Sequence, residues 1–256
     1  MLSIIIVSFN ARADLERCLE SLHHPPPATP HEILVVDNGS TDGSADAVGR
    51  WPDVRVIQAG ANLGFARANN IGIRASDGAN ILLLNSDTIV PPGAIDGLLA
   101  ELHRHEDVAV VGPRLVDATG RAELSFGRMV SPFSEFRQKQ LARSNAVDRI
   151  TSGRQYPDWV SGACLLVRRE DAEAVGGFDE RYFMYTEDVD FCAAIRGRGR
   201  KILFTPDVEV VHLRGRSAAS APAATREHYR RSQLAFYEKH HPRWAPLLKL
   251  YVRIFS

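Results

Sequence analysis

The chain has 256 residues, and its 31 Lys and Arg side chains are balanced by 31 Asp and Glu side chains. This length is enough for one large α/β domain or two small ones, and a net charge of zero gives no indication of nucleic-acid binding. Cys18, Cys164 and Cys192 lack metal-ligand spacing, which favours buried thiols in a reducing compartment. The N-terminal apolar run is too short for a signal peptide or a membrane span, so we expect a cytoplasmic protein.

Buried strands and amphipathic helices alternate along the chain. Leu2–Ser8 is a β-branched run, typical of a parallel strand buried on both faces. Further strands are predicted at Ile33–Val36, Val54–Gln58, Ile81–Leu84, Val108–Val111, Cys164–Val167, Ile202–Phe204 and Val208–Val211. Helices are predicted within Asn62–Arg74, Ile95–Leu102, Thr225–His240 and Trp244–Phe255. The alternation predicts an α/β fold with a mostly parallel sheet, helices on both of its faces and a C-terminal helical tail.

Polar residues follow closely on several of these strands. Sheets of this kind bind ligands outside the carboxyl ends of their strands, so we expect Asn10, Asp37 and Asp87 to line one rim. Asp37 opens a turn-forming stretch, DNGSTDGS, and a structural turn is one interpretation. The other is that its carboxylate accepts the N3–H of a uracil or thymine ring. No GxGxxG follows the first strand and no Walker A sequence is present, which argues against dehydrogenases and P-loop enzymes.

Two further stretches are rich in oxygen ligands or acids. The tripeptide Asn85–Asp87 resembles a motif that holds a hard divalent cation against a diphosphate. Later, Thr186 is predicted to cap a helix whose first turn contains Glu187 and Asp188. These acids can simply complement the helix dipole, or one of them can take a proton from an incoming hydroxyl in a cleft. Asp190 is expected to face away from Asp188.

Six motifs occur in a recognisable order: SIIIVSFN, VVDNGSTDGS, NLGFARANN, LLLNSDT, WVSGACLLVRRE and GGFDERYFMYTEDVDF. In this order the chain resembles family 2 glycosyltransferases over residues 1–240, and most closely their bacterial rhamnosyltransferase-like branch. The resemblance implies a single GT-A domain of residues 1–256, an inverting mechanism and a nucleotide-diphosphate sugar donor. In this domain, residues 1–115 would bind the donor, 116–224 would hold the acceptor and catalytic groups, and 225–256 would form the tail.

The resemblance also implies roles for individual residues. Asp37 matches the aspartate that recognises the base, and Asp188 matches the catalytic base. Asp87 matches the last acid of the DxD motif, while Asn85 stands where many relatives have the first Asp. His212 matches a histidine that completes the metal site, so that Asp87 and His212 are expected to bind Mg²⁺ or Mn²⁺.

The remaining donor contacts are expected along the same motifs. Ser8 and Asn10 lie in the first motif, and Asn69 stands where several relatives carry a nucleotide-contacting arginine. Arg214 and Arg216 follow His212 and are predicted to stabilise the leaving diphosphate.

Acceptor binding is predicted at Trp159 and Glu187. An indole face can pack on a sugar ring, although Trp159 also suits a core position. If Asp188 is the base, Glu187 is expected to orient the acceptor or a neighbouring loop.

The tail from residue 226 to 253 carries seven basic side chains against two acids, a net charge of +5, with aromatic and aliphatic residues between them. This composition fits a segment that lies on a membrane surface, and equally a terminal helix that packs on the domain. The expected location is therefore cytoplasmic, with peripheral contact to the inner face of the plasma membrane as the alternative.

The hypothesis that results is an inverting, metal-dependent glycosyltransferase. It would move a sugar, with rhamnose as the leading candidate, from a dTDP- or UDP-linked donor to a hydroxyl of a cell-surface glycan or lipid-linked acceptor. One alternative is a sugar-1-phosphate nucleotidyltransferase, which would be expected to show a Gly-rich loop after the first strand. Another is a glycan- or nucleotide-binding module without catalysis. The oligomeric state is left open.

Overall fold

The computed structural model describes residues 1–131, 134, 138, 140–141, 146–213 and 222–254. Its strands are β1 Leu2–Ser8, β2 His31–Asp37, β3 Val54–Gln58, β4 Asn80–Asn85, β5 Thr88–Ile89, β6 Val108–Val116, β7 Phe126–Gly127, β8 Trp159–Val160, β9 Cys164–Arg168 and β10 Lys201–His212. Its helices are α1 Arg12–His23, α2 Ser44–Ala47, α3 Phe65–Ala75, α4 Ala94–Arg104, α5 Val147–Ile150, α6 Arg169–Ala174, α7 Glu187–Gly197, α8 Pro222–His240 and α9 Ala245–Ile254.

Eight of these strands form one mixed sheet in the order β3-β2-β1-β4-β9-β6-β10-β5. The first four are parallel to one another, and β6 is parallel to β10. Strand β9 lies antiparallel between β4 and β6, and β5 lies antiparallel on β10. The predicted mostly parallel sheet is therefore confirmed, with two strands of opposite direction that the sequence pattern did not predict.

The prediction of two short strands near residue 205 is wrong. The chain forms one strand, β10, whose register with β6 shifts between Thr205 and Glu209. Pro206 lies inside this irregular stretch, where the absence of its N–H costs no ladder hydrogen bond. The bulge separates two regular halves of one strand. His212 is the last residue of this strand and lies at the carboxyl end of the sheet.

Two apolar layers cover the faces of the sheet. Side chains of β1 alternate between them, because Ile4 and Ile6 pack with helices α1 and α4 while Ile5 packs with α3 and α7. Helices on both faces are thus confirmed. A third, smaller cluster joins the tail to the start of α7, and its buried members are Tyr182, Val189, Phe236, Tyr237 and Ala245.

The tail packs on the domain through this third cluster. This agrees with one of the two interpretations of the tail sequence, a terminal helix that packs on the domain. Within the described residues, no helix combines the length and the apolar character that are needed to cross a bilayer.

Candidate active site

The predicted rim lies at the carboxyl ends of β1, β2 and β4. Ser8 and Asp37, the last residues of β1 and β2, are directly opposite each other in the parallel register. On the other side of β1, Val7 pairs with Asn85 at the end of β4. The fold therefore brings Ser8, Asp37 and Asn85 together at one edge of the sheet, although they lie far apart in the sequence.

Asp37 and Ser8 each carry a buried polar atom without a hydrogen-bond partner. Asp37 is only 5% exposed, and its Oδ2 accepts a bond from the Ser40 backbone N–H at 3.2 Å. Its Oδ1, like the fully buried hydroxyl of Ser8, has no partner among the described residues. An unpaired buried polar group costs free energy. A ligand that supplied hydrogen bonds to these two atoms would recover it.

Asn10 and Asn69 hold the polypeptide in place around this edge. Asn10 lies in the left-handed region at φ 48°, and its Oδ1 accepts a bond from the Thr41 N–H at 2.8 Å. Asn69 is buried in α3, where its amide donates to the Phe65 carbonyl at 2.9 Å. Both side chains are thus engaged by the protein itself, and their contacts with a donor stay predictions.

The predicted metal ligands lie beside each other at the same edge. His212 ends β10, and its Nε2 is 3.3 Å from Asp87 Oδ1 and 3.5 Å from Asn85 Nδ2. The Leu213 N–H donates to the Asp87 carbonyl at 2.8 Å, which fastens the turn after β4 to the end of β10. The fold thus brings the imidazole of His212 to a carboxylate and an amide that lie more than 120 residues earlier in the chain.

Glu123 is a member of this cluster that the sequence did not indicate. Its Oε2 lies 3.2 Å from His212 Nδ1, and both side chains are largely buried. Burial lowers the pKa of His212, but the hydrogen bonds and negative charges of Asp87 and Glu123 outweigh this effect and raise it to about 9. In the neutral ring, donation from Nδ1 to Glu123 leaves the lone pair of Nε2 directed at Asp87, which is the tautomer that a metal ion requires.

The chemistry of these side chains fits a divalent cation that is shared with a ligand. Carboxylate, amide oxygen and imidazole are all used by Mg²⁺, Mn²⁺ and similar ions. Within the part of the chain that the structure describes, no group of three or more His, Cys, Asp or Glu side chains is arranged to hold a metal by itself. Asp87 and His212 can supply two ligands, and a bound diphosphate would have to supply others.

The first turn of α7 holds Asp188 in a defined position. Its Oδ2 accepts a hydrogen bond from the Gly162 N–H at 2.9 Å, and its Oδ1 accepts one from the Val189 N–H at 2.9 Å. Burial raises the pKa of Asp188, while these two N–H groups favour the ionised form and counteract part of that rise. Both oxygens keep a lone pair with which to accept a further proton donor.

Glu187 is buried with one carboxyl oxygen unpaired. It is 5% exposed, and its Oε2 has no hydrogen-bond partner among the described residues. Burial, and then the neighbouring charge of Asp188, raise the pKa of Glu187 well above its ordinary value. The two adjacent acids thus differ, because Asp188 accepts two backbone hydrogen bonds that favour its ionised form.

The turn before β9 joins Asp188 to the rim. Gly162 donates to Asp188, and the next residue, Ala163, accepts a hydrogen bond from the Asn85 N–H at 2.9 Å. A Cβ at position 162 would lie 3.3 Å from the Phe65 ring and 3.4 Å from Asp188 Cβ. The turn therefore packs closely against both α3 and the first turn of α7.

Asp190 faces away from Asp188, as the helical spacing predicts. It is 2% exposed and is surrounded by donors: Lys239 Nζ at 2.8 Å and His240 Nε2 at 2.6 Å from the tail, and the Tyr182 hydroxyl at 3.3 Å from the segment before α7. This acid anchors α8 to α7.

Thr186 occupies the predicted N-cap position, but its side chain makes no capping hydrogen bond. The residue lies in the left-handed region at φ 64°, directly after Tyr185 at φ 72°. Two consecutive non-glycine residues in this region are strained, and such strain is concentrated at functional sites. The predicted capping bond is therefore wrong, because this backbone turns the hydroxyl away from the first free N–H groups of the helix.

Trp159 packs against the core, which is one of the two interpretations given to it. Its ring is partly buried against the core, and its Nε1 donates to the Arg128 carbonyl at 2.9 Å. The indole is thus fixed three residues before Gly162, and acceptor binding by it stays a prediction. Arg214 and Arg216, predicted to contact the diphosphate, lie outside the described residues.

Comparison with known proteins identifies the class of this site. The model of the family described as Glycosyl transferase family 2 matches residues 3–159. An N-acetylglucosaminyl-diphospho-decaprenol L-rhamnosyltransferase of Mycobacterium tuberculosis is 34% identical over 96% of this chain and 88% of that relative. Rhamnosyltransferase WbbL of Escherichia coli K12 is 28% identical over 83% of each chain. The chain therefore belongs to glycosyl transferase family 2, and its resemblance to rhamnosyltransferases is confirmed.

Solved structures share the fold. The mannosyltransferase PcManGT of Pyrobaculum calidifontis, described in complex with GDP-Man and Mn²⁺, has a TM-score of 0.65 and 20% identity over 97% of this chain and 68% of that one. The S. aureus protein TarS, described in complex with UDP, has a TM-score of 0.60 and 19% identity over 82% of this chain and 59% of that one. The predicted GT-A fold is confirmed, and the protein is a sugar-transferring glycosyltransferase.

Proposed function

We propose that this glycosyltransferase moves rhamnose, with inversion, from a dTDP- or UDP-linked donor to a hydroxyl of a lipid-linked or glycan acceptor. The nature of the sugar and of the acceptor is supported by the described functions of its relatives, one of which is a rhamnosyltransferase for a diphospho-decaprenol-linked sugar. The observation that carries the proposal is the chain of contacts from Asp188 through Gly162 and Ala163 to Asn85, because it puts a carboxyl group that accepts two backbone hydrogen bonds next to a rim with unpaired polar atoms.

Donor recognition is proposed at the end of β2. Uracil and thymine present an N3–H, and Asp37 Oδ1 is a buried acceptor that lacks a donor in the described part of the chain. The Ser8 hydroxyl beside it can bond a carbonyl of the base or a hydroxyl of the ribose. Guanine also presents an N–H donor, at N1, but an amino group flanks it where uracil and thymine have a second carbonyl, and its two-ring base is larger.

Catalysis is proposed at Asp188. Its carboxylate removes the proton from the acceptor hydroxyl, and the oxygen then attacks the anomeric carbon from the face opposite the diphosphate. The bond from the anomeric carbon to the diphosphate breaks, and the diphosphate leaves with the electron pair. Attack from the opposite face inverts the configuration. Protonated Glu187 can donate a hydrogen bond to the acceptor and orient it.

A divalent cation, Mg²⁺ or Mn²⁺, is proposed to be held by Asp87 and His212, with Asn85 able to join through its amide oxygen. When bound, such an ion neutralises charge on the leaving diphosphate. Glu123 fixes the ring of His212 through Nδ1. Arg214 and Arg216 are proposed to add positive charge on the same side of the donor.

The test is a donor screen. The purified enzyme is incubated with dTDP-, UDP- and GDP-linked sugars and a polyprenyl-diphosphate-linked acceptor analogue, with Mg²⁺, with Mn²⁺ or with EDTA. We expect a glycosylated product, seen by mass spectrometry, with dTDP-rhamnose and a metal ion, and none with the Asp188→Asn control. Binding of the nucleotide without transfer to any glycan hydroxyl would favour a binding module. A nucleotidyltransferase is disfavoured by the family to which the chain belongs. The proposed location is cytoplasmic, with peripheral attachment to the membrane.

A further inference from the structure

Helix α9 carries an exposed apolar stripe. Trp244 is 46% exposed, Leu247 59% and Leu250 55%. The two leucines are three residues apart and therefore lie on the same side of the helix, with Trp244 just before its first turn. Of the seven large hydrophobic side chains that are exposed in the described residues, these three fall within one short run. We call Trp244, Leu247 and Leu250 the apolar stripe.

The opposite side of α9 is already occupied by the protein. Ala245 is buried and Leu248 is partly buried, and both pack in the cluster that contains Tyr182 and Phe236. The helix is thus amphipathic in an unusual sense, because it has one apolar side against the domain and a second apolar side facing solvent. The second side is not used for packing among the described residues. An exposed apolar surface that is rimmed by polar residues is typical of an interaction site.

Positive charge surrounds the apolar stripe. The side chains of Arg243, Lys249 and Arg253 are exposed, and the sequence from residue 239 to residue 254 contains no Asp or Glu. Lys249 also forms a surface ion pair with Glu238 at the end of α8. Aliphatic and tryptophan side chains flanked by Lys and Arg are the combination that enters the boundary between lipid headgroups and acyl chains.

We propose that the apolar stripe is the surface by which this protein binds a bilayer with anionic headgroups, with α9 lying in the plane of the interface. The inference deepens the proposed function and rests on it, since an acceptor on a polyprenyl diphosphate is presented at such a surface. The flanking cations select the anionic headgroups, and the stripe enters the acyl boundary.

The tail also connects the proposed bilayer contact to the catalytic helix. Lys239 and His240, at the end of α8, both bond to Asp190 in α7. The stripe begins four residues after His240, so little chain separates the bilayer contact from this anchor. Asp188 lies two residues before Asp190 in the same helix, so the helix that carries the proposed base is linked to the bilayer contact through one buried carboxylate.

The first experiment measures binding of the full chain to vesicles by flotation. Vesicles of phosphatidylcholine with about a third phosphatidylglycerol are compared with vesicles of phosphatidylcholine alone, at about 0.05 M and about 0.5 M salt. We expect binding to the anionic vesicles at low salt and at least several-fold less in the other conditions. Trp244 gives an internal signal, because its emission should shift to the blue on binding and the shift should be absent in Trp244→Phe.

The second experiment uses matched variants. Leu247→Ser with Leu250→Ser should lower the vesicle partition coefficient by about tenfold per leucine. Tyr156→Ser is the control, because Tyr156 is 47% exposed but contacts Lys201 at the opposite end of β10. It should leave the partition unchanged. All variants change exposed side chains, and their thermal unfolding should match the parent.

The outcomes separate this inference from the proposed function. Equal flotation with anionic and neutral vesicles, or equal flotation of the double leucine variant and the parent, overturns the inference. A concentration-dependent dimer that the leucine changes dissociate, without vesicle binding, also overturns it and assigns the stripe to a second copy. In either case dTDP binding and transfer to a water-soluble acceptor would stand. If the protein bound vesicles but bound no nucleotide, the membrane-binding surface would be supported and the proposed function would be rejected.

Discussion

At the donor rim, Ser8, Asp37 and Asn85 are the last residues of three adjacent strands, and the register of the sheet alone sets them side by side. At the start of α7, Asp188 owes its position to a backbone N–H 26 residues earlier in the chain, and the helix that carries it is held by a tail about 50 residues further on. The rim is thus built by β-sheet geometry, and the catalytic helix by a few contacts between distant segments.

This difference has a consequence for function. Many backbone hydrogen bonds between the strands hold the rim in place. A single side-chain substitution there is therefore expected to change the chemistry of one group while the positions of the strand ends stay the same. Around α7, the same carboxylates that could act on substrate also hold the helix, and their roles have to be separated by experiment.

Asp188→Asn should lower the transfer rate by about 10²–10⁴-fold, because the amide cannot accept the acceptor's proton. The amide oxygen can still accept the Gly162 N–H, so folding and the affinity for dTDP should be unchanged. Steady-state kinetics and calorimetric titration with dTDP measure the two quantities. A variant with near-parental turnover would move the role of base to another carboxyl group.

Asp37→Ala should weaken dTDP and UDP binding by about 1–3 kcal/mol, the loss of a charge-assisted hydrogen bond. GDP serves as the internal control, since its weaker binding should change little. Calorimetric titration of the three nucleotides tests the point. If the parent bound GDP as tightly as dTDP, Asp37 would not select the base.

Glu123→Gln should raise the metal concentration needed for half-maximal activity by about tenfold, because the ring of His212 loses its charged orienting partner. The matched control is Glu209→Gln, an acid in a half-exposed ion pair with Arg114 on β6. Metal titrations of EDTA-treated enzyme give the values. Full turnover in EDTA would show instead that the diphosphate is stabilised without a cation.

The cluster around His212 shows where sequence reasoning stops. Asp87 was predicted because it follows a strand in a recognisable tripeptide, and His212 because the family resemblance implies a histidine at the end of a later strand. The ends of these strands then meet at one edge of the sheet. Glu123 follows no motif, and it reaches His212 from 89 positions away through a loop whose course depends on tertiary packing. Its only local signal is its charge, which many surface residues share.

The strands illustrate the same limit. The bounds of β1 and β3 were predicted correctly from β-branched runs, since buried strands leave a local pattern. The antiparallel direction of β9 and the union of two segments into β10 depend on pairing between distant segments. The strain at Tyr185 and Thr186 was missed for a related reason: propensity favoured a normal cap, whereas packing of the loop enforces two left-handed residues.

Glu187→Gln should flatten the dependence of stability on pH. The folded-state pKa of Glu187 is raised, so the folded protein binds this proton more tightly than the unfolded chain does. The stabilisation is complete below the ordinary carboxyl pKa and is lost as pH rises toward the raised value. Thermal unfolding between pH 4 and about 8 should therefore show a smaller decline for the variant than for the parent, with turnover reduced only several-fold. Parallel curves would mean that Glu187 is ionised in the folded protein.

Asp190→Asn should have the smallest effect on turnover and a measurable one on stability. The neutral side chain leaves Lys239 and His240 without their buried acceptor charge, at a cost of about 1–3 kcal/mol. Asp53→Asn is the control, because Asp53 pairs with His23 but is itself 62% exposed, and its loss should be within about 0.5 kcal/mol. Chemical denaturation gives the two values, and the rate at a temperature where both variants are folded gives turnover. Since Asp190 points toward the tail and away from Asp188, the rate should stay within a few-fold of the parent. If the Asp190→Asn protein were stable but lost as much rate as is expected for Asp188→Asn, the assignment of Asp188 as the base would be wrong and Asp190 would take its place.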